Sequence, residues 1–296
     1  MPALQFFLGV SRAPFLTLTL SVLFLALALV LRQTGELSLS LLVLVLLAGL
    51  SAHVAVNALN EFHDFKSGLD LNTKRTPFSG GSGTLPLQPE WSLITLVFAF
   101  ACLLLCIAIG LYFVLVVNSF LIFPGVLGVV IVLTYTPWIN QNPWLCLIAP
   151  GTGFGFVMLP GAVLALGGTL NTAVYLVAAS IFFLTNNLLL LNQLPDIDAD
   201  RNAGRRTLPI ALGYGKSLIV AALFYAATYI PVIVALKMAI WPLFSSWVVL
   251  LLPLAIFTVN TLGRAKNTSV PVSALAANVL FCLIFPVFLG VAILAA

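Results

Sequence analysis

The sequence predicts an all-α fold: a polytopic membrane helix bundle of about nine transmembrane helices with a parallel internal repeat. Three observations carry this. Of the 296 residues, 62% are apolar and only 7% are charged, where an ordinary soluble domain carries roughly 25% charged residues. So few charges cannot solvate a globule of this size, which excludes a soluble enzyme, and disorder would need low hydrophobicity. The apolar runs are continuous and match the roughly 20 residues of a spanning helix, whereas outer-membrane barrel strands alternate. Finally, the polar residues gather in two clusters offset by 132 positions.

Taken in order, the spans run roughly over 14–32, 38–60, 92–113, 117–137, 143–167, 171–194, 214–236, 241–263 and 270–295. The first, Pro14 to Leu31, is long enough to span and lacks the basic flank and small-residue cleavage site of a signal peptide. The shortest connections fall near Asn118, Pro143 and Gly168. Pro137, Pro143, Pro160 and Pro231 kink helices or end them, and neighbouring helices meet the freed backbone groups. Cys102, Cys106, Cys146 and Cys282 all lie inside apolar runs and read as small hydrophobes. The chain reads as one transmembrane domain over 1–296, with polar loops at about 61–91 and 193–213.

With nine spans, the side of the N-terminus also holds the loops after spans 2, 4, 6 and 8. That side carries Arg12, Lys66, Lys74, Arg75, Arg201, Arg205, Arg206, Lys216, Arg264 and Lys266; the other carries only Arg32 and Lys237. Ten against two puts the N-terminus and both polar loops in the cytoplasm, and the expected location is the inner cell membrane. Of the eight acids, seven lie in 61–90 and 196–200. Ionisable groups at membrane depth cost about 2.5–3.5 kcal/mol each on insertion scales and mark functional sites.

The first cluster closes span 2. Asn57, Asn60, Glu61 and Asp64 lie three and four apart and share one helix face. Gly68 suits a helix stop and leaves Asp70 on the loop; Lys74-Arg75-Thr76-Pro77 and Ser79-Gly80-Gly81-Ser82-Gly83 follow. The second cluster closes span 6, where Asn192, Asp196 and Asp200 stand at i, i+4 and i+8 as one stripe, with Asp198 off it and Arg205-Arg206-Thr207 beyond. Asn60 pairs with Asn192 and Asp64 with Asp196 at the same 132-residue offset. That offset covers an even number of helices, so the copies share one orientation and face each other across a bundle.

Carboxylates and amide oxygens crowded at one mouth repel unless cations sit between them. Oxygen-only ligands suit Mg²⁺, held by a few carboxylates plus substrate phosphates. Lys74, Arg75, Arg205 and Arg206 are phosphate partners. The combination reads as a diphosphate held by Mg²⁺ above a greasy bundle, with a lipid tail among the helices.

Asn60-Glu61-x-x-Asp64 with Asp70, and Asn192-x-x-x-Asp196-x-x-x-Asp200, resemble the paired aspartate-rich motifs of the UbiA superfamily of intramembrane prenyltransferases. The likeness extends over nearly the whole chain. Gly68-x-Asp70 and Asn192 look most like the branch that prenylates 1,4-dihydroxy-2-naphthoate for menaquinone, and Tyr135-Thr136 resembles that family's tyrosine after span 4. Glu61 stands where Asp is usual, and Ala149-Pro150 replaces a more polar stretch of that branch. The resemblance implies Mg²⁺-assisted ionisation of an isoprenyl diphosphate, then attack of an electron-rich aromatic or quinone-precursor acceptor on the allylic cation. It implies Asp64, Asp196 and Asp200 as metal ligands with Glu61 and Asp70 beside them, and Asn60 and Asn192 assisting at the diphosphate. Tyr135 joins the aspartates as a catalytic candidate.

Three readings compete with this one. Solvated loops with helix caps would make spacing, repetition and shared side separate accidents. A cation-coupled transporter also uses repeats and buried acids, but its acids belong at the midplane rather than at one Arg-rich mouth. Another branch of the superfamily would change the acceptor or cyclise the chain. His63, beside Asp64, is a candidate base or a solvated histidine, and segment 79–83 is a cap or a phosphate nest. The expected partners are the bilayer, a prenyl diphosphate and its acceptor, and no nucleic acid.

Overall fold

The structure, a computed structural model, describes residues 2–73, 75–265 and 269–295. Lys74 and Lys266 lie outside the described residues. The order is α1 (Ala3–Val10), α2 (Leu16–Thr34), α3 (Leu39–Lys66), α4 (Leu69–Asn72), α5 (Thr84–Leu87), α6 (Ser92–Val116), α7 (Ile122–Thr134) and α8 (Pro143–Gly151). After these come α9 (Leu159–Ala165), α10 (Thr172–Asn192), α11 (Ile197–Asn202), α12 (Leu208–Leu212), α13 (Tyr214–Lys237), α14 (Leu252–Arg264) and α15 (Val272–Leu294). Among the described residues there is no strand. Among the described residues, eight helical segments are long and apolar enough to cross a membrane, and a ninth apolar segment, Ser119–Thr134, is shorter. These fall where the nine apolar runs are.

Three of the described helices, α3, α8 and α10, begin where a short polar side chain meets free backbone donors. Asn142 accepts from the amides of Trp144 and Leu145 at the start of α8, and Asn171 accepts from Val174 at the start of α10. α3 packs on α6, α10 on α13, and α2 on α15. The pairs α3–α6 and α10–α13 hold equivalent positions in the two halves, each with a polar cluster after its first helix.

α3 runs unbroken to Lys66, so Asn57, Asn60, Glu61 and Asp64 do share a helix. Gly68, at φ +77°, then turns the chain into α4, which carries Asp70. The second cluster differs from its expected single stripe. α10 ends at Asn192, and Asp196 opens the separate helix α11, which carries Asp200. Pro195 is the reason: it has no N–H to give and its ring clashes with the preceding turn.

The span over 143–165 is also interrupted. After Pro150, Thr152–Met158 winds as a π-helix before α9 resumes. Here the chain lies directly on α10. The Gly151 amide donates to Asn186 Oδ1 at 2.5 Å, and a Cβ on Gly155 would stand 2.6 Å from the Ala178 carbonyl oxygen. Small residues permit this close approach between membrane helices.

Candidate active site

The two halves enclose a cavity of about 430 Å³. Asn60 and Asp64 from α3, Asp70 from α4, Asn192 from the end of α10, and Asp196 and Asp200 around α11 all reach its wall. Tyr135, just past α7, lines it as well, together with Asn140, Gln193 and Thr207. Most of the remaining lining is apolar. The sequence motifs, though 132 residues apart, therefore meet at one place.

The cations divide. Arg205 points into the cavity wall and bridges the halves: its Nη1 donates to Asp200 Oδ1 at 3.0 Å, and its Nη2 donates to Asp64 Oδ1. Asn60 Oδ1 accepts from Thr136 Oγ1 at 3.1 Å. Arg75 and Arg206 are exposed and do not line the cavity. Arg75 donates to the Asp70 carbonyl at 2.9 Å. Arg206 gives only its backbone N–H inward, to the Asn140 carbonyl. Asp198, off the stripe, is solvated and pairs with Arg201 at 3.0 Å.

Glu61 turns away from the cavity wall. It is fully buried, and its Oε1 accepts from Arg12 Nε at 2.6 Å and from the Ser82 amide at 2.9 Å. Its Oε2 accepts from Ser82 Oγ at 2.6 Å. The same loop reaches the other half, where the Gly80 amide donates to Asp196 Oδ2 at 2.9 Å. Segment 79–83 is thus strapped over the mouth by one carboxylate from each repeat. Gly81 has φ +73°, and a Cβ there would run into the Asp70 carboxylate. The Gly- and Ser-rich composition marks 79–83 as a cap or nest, but its pairing, like that of Arg12, has no local sequence signal, since the partners lie 49, 21 and 116 residues away.

Burial raises the pKa of Asp70 to about 7, and Glu61 and Asp64 add to it by repulsion. Burial likewise raises Asp196 to about 7, with Asp200 adding to it against the Gly80 amide and Arg205. Burial also raises Asp200, although Arg205 pulls the other way. Burial opposes the Arg205 charge, but Asp64 and Asp200 outweigh it and hold the guanidinium protonated more firmly than usual. These are acids short of positive charge.

The donor set fits Mg²⁺. Asp70 Oδ2, Asn192 Oδ1 and Asp196 Oδ1 are buried oxygens with no hydrogen-bond partner. A buried polar atom left unmet costs about 1–3 kcal/mol, and oxygens of this kind are what a hard cation takes as ligands. Among the described residues, no three carboxylate, histidine or cysteine side chains already stand together as a metal site. Arg205 pairs with both Asp64 and Asp200.

Several known proteins are similar to this chain. The 1,4-dihydroxy-2-naphthoate octaprenyltransferase of Bacillus subtilis (strain 168) is 26% identical over 198 residues, covering 64% of this chain and 60% of that protein. Its namesake in Haemophilus influenzae is 28% identical over 199 residues, covering 62% and 63%. The chain thus matches less than two thirds of the length of either curated relative. A UbiA homolog from Archaeoglobus fulgidus bound to GPP and Mg²⁺ superposes with a TM-score of 0.71 over 98% of this chain and 100% of that one, at 18% identity. The apo UbiA homolog from Aeropyrum pernix K1 also gives 0.71 at 18% identity, over 94% and 97%. At such identity the likeness is one of fold. The sequence pattern of the UbiA prenyltransferase family matches residues 21–285, and this chain belongs to that family.

Proposed function

We propose that the protein transfers an isoprenyl chain from a prenyl diphosphate to a small aromatic or quinone-precursor acceptor, with Mg²⁺ as cofactor and 1,4-dihydroxy-2-naphthoate as the first acceptor to test. One observation carries the reading: a largely apolar cavity whose mouth gathers the unpartnered oxygens of Asp70, Asn192 and Asp196. The names of the two octaprenyltransferase relatives support the acceptor class.

In this reading Asp64, Asp70, Asp196 and Asp200 hold Mg²⁺ together with diphosphate oxygens, and Asn60 and Asn192 assist. When bound, Mg²⁺ supplies positive charge against the charge developing on the leaving diphosphate. Arg205 turns from the aspartates to that diphosphate as a charge-assisted donor. Lys74, Arg75 and Arg206 serve as outer phosphate partners. Glu61 acts differently from the other acids: it keeps the strap closed through Ser82 and Arg12, which excludes water from a reactive allylic cation. Tyr135 offers its ring face to that cation. The N-terminus and both acidic loops face the cytoplasm, and the protein resides in the inner membrane.

A second reading keeps the same donor and metal but changes the acceptor or cyclises the chain. It is favoured by Ala149 and Pro150, which line the cavity without offering a polar side chain. One screen separates the two: purified protein with Mg²⁺, farnesyl diphosphate and a panel of aromatic acceptors, read by diphosphate release and product mass. Metal-dependent diphosphate release with a different product replaces only the acceptor. No release under any condition overturns the transferase reading.

A further inference from the structure

One wall of the cavity is polar far below the mouth. His53, Asn57, Asn60 and Asp64 all line it from α3. They stand at i, i+4, i+7 and i+11, which is one helix face, and at 1.5 Å per residue the stripe descends about 16 Å. Other walls are different. Gly110, Gly125 and Gly153 line the cavity too, and a Cβ on any of them would meet only open space. An isoprenyl chain needs only that second, smooth kind of wall. Asn57, Asn60 and Asp64 are met by the Ser11 carbonyl, Thr136 and Arg205; His53 is the deepest rung, and a polar group at membrane depth is costly unless something uses it.

His53 forms the foot of the ladder and is 8% exposed. Its Nδ1 lies 2.7 Å from Thr19 Oγ1 on α2. Thr19 is fully buried, and among the described residues this is the one hydrogen bond of its hydroxyl. A buried hydroxyl gives its proton to an acceptor, so Thr19 donates to Nδ1. The ring is then neutral with its hydrogen on Nε2. A doubly protonated ring would strand the Thr19 proton and leave a charge at membrane depth. The Phe154 ring meets the imidazole edge-on at 5.3 Å and holds its plane. Among the described residues, the Nε2–H has no protein partner.

We propose that His53, fixed in this tautomer by Thr19, donates its Nε2–H to a ring oxygen of the aromatic acceptor. The α3 stripe is then the acceptor's lane, and the prenyl chain runs along the glycine wall. His53 determines acceptor specificity, and Thr19 is a positioning residue. The inference rests on the transferase reading above.

The test is steady-state kinetics on His53→Leu, His53→Gln and Thr19→Val, with calorimetric binding of farnesyl diphosphate in Mg²⁺. Losing one neutral hydrogen bond should raise the acceptor KM about 10-fold in His53→Leu, with farnesyl diphosphate affinity unchanged. His53→Gln retains an N–H donor and restores most of the loss. Thr19→Val should raise the same KM with little change in kcat. It should also shift the ¹⁵N signals of His53, which are easily assigned in a chain with two histidines. Comparing 1,4-dihydroxy-2-naphthoate with 1,4-dihydroxynaphthalene identifies the oxygen. A loss with both means a phenolic oxygen, and a loss with the first alone means the carboxylate. An unchanged acceptor KM in a folded His53→Leu protein overturns the inference, as does a change in prenyl affinity instead. Wild-type protein that binds no farnesyl diphosphate with Mg²⁺ removes the transferase reading and the inference with it.

Discussion

Replacing Arg205 by Gln should weaken the metal-free protein and strengthen its hold on Mg²⁺ together. The Arg205 side chain is 19% exposed, while those of Asp64 and Asp200 are 5% and 4% exposed. A unit-charge pair at about 3 Å attracts by about 5 kcal/mol at an effective dielectric near 20. Desolvation cancels much of this, and removing one partner of a buried pair typically costs about 3–5 kcal/mol. Water at the Arg205 end favours the lower figure, about 3 kcal/mol. At roughly 2–4 °C per kcal/mol, the apparent unfolding midpoint without Mg²⁺ should fall by about 6–12 °C. The two aspartates no longer have to leave a guanidinium before meeting a metal, so Mg²⁺ should bind about 10-fold tighter and restore much of the midpoint. Turnover should nonetheless drop by about 10²-fold or more, because a donor to the leaving diphosphate is gone. The buried thiols of Cys146 and Cys282 report unfolding through a thiol-reactive dye during heating, and a Mg²⁺ titration of the midpoint reads the affinity. An unchanged midpoint together with unchanged Mg²⁺ affinity would refute the reasoning, because the guanidinium would then not be holding the carboxylates apart from the metal.

Asp64→Asn and Asp196→Asn should each abolish diphosphate release, whereas Asp198→Asn should cost less than about threefold, since its side chain is 89% exposed and surface pairs contribute about 0–1 kcal/mol; equal mild losses at all three would count against metal binding. Mg²⁺ affinity should climb with pH through about 7, because Asp70 and Asp196 are held near that value and must lose protons to bind. In the metal-free protein the sign is opposite: these acids titrate higher in the fold than in the unfolded chain, so stability falls as pH rises from about 4 through 7. Calorimetry across about pH 4 to 8, the range spanned by the unfolded and folded values of these groups, checks both, and a flat Mg²⁺ affinity would exclude these two acids as ligands. Gly81→Ala should cut turnover by about 10-fold or more, since its Cβ meets Asp70 at a φ that L-residues avoid; full activity would show that the strap can move without cost.

The membrane bundle, the nine apolar runs and the meeting of two acidic motifs were legible in the residues alone. Each of these is periodic or local. A spanning helix needs an unbroken apolar run because lipid offers its backbone no partner, and Asn57, Asn60, Glu61 and Asp64 share a face because helix geometry repeats every 3.6 residues. The tertiary structure decided what each charged group does. Arg205 and Arg206 are adjacent and chemically alike, yet one joins Asp64 to Asp200 and the other is exposed. Glu61 and Asp64 sit on one helix, yet Glu61 holds Arg12 and Ser82 while Asp64 lines the cavity. Pro195 ends the second stripe's helix, so Asp196 reaches the cavity from a new helix start and meets Gly80 from the other repeat. Apart from Arg205 with Asp200, the partners in these cases lie 21 to 141 residues apart in the chain. Local spacing cannot encode such pairings, because they depend on how closely packed helices bring distant loops together.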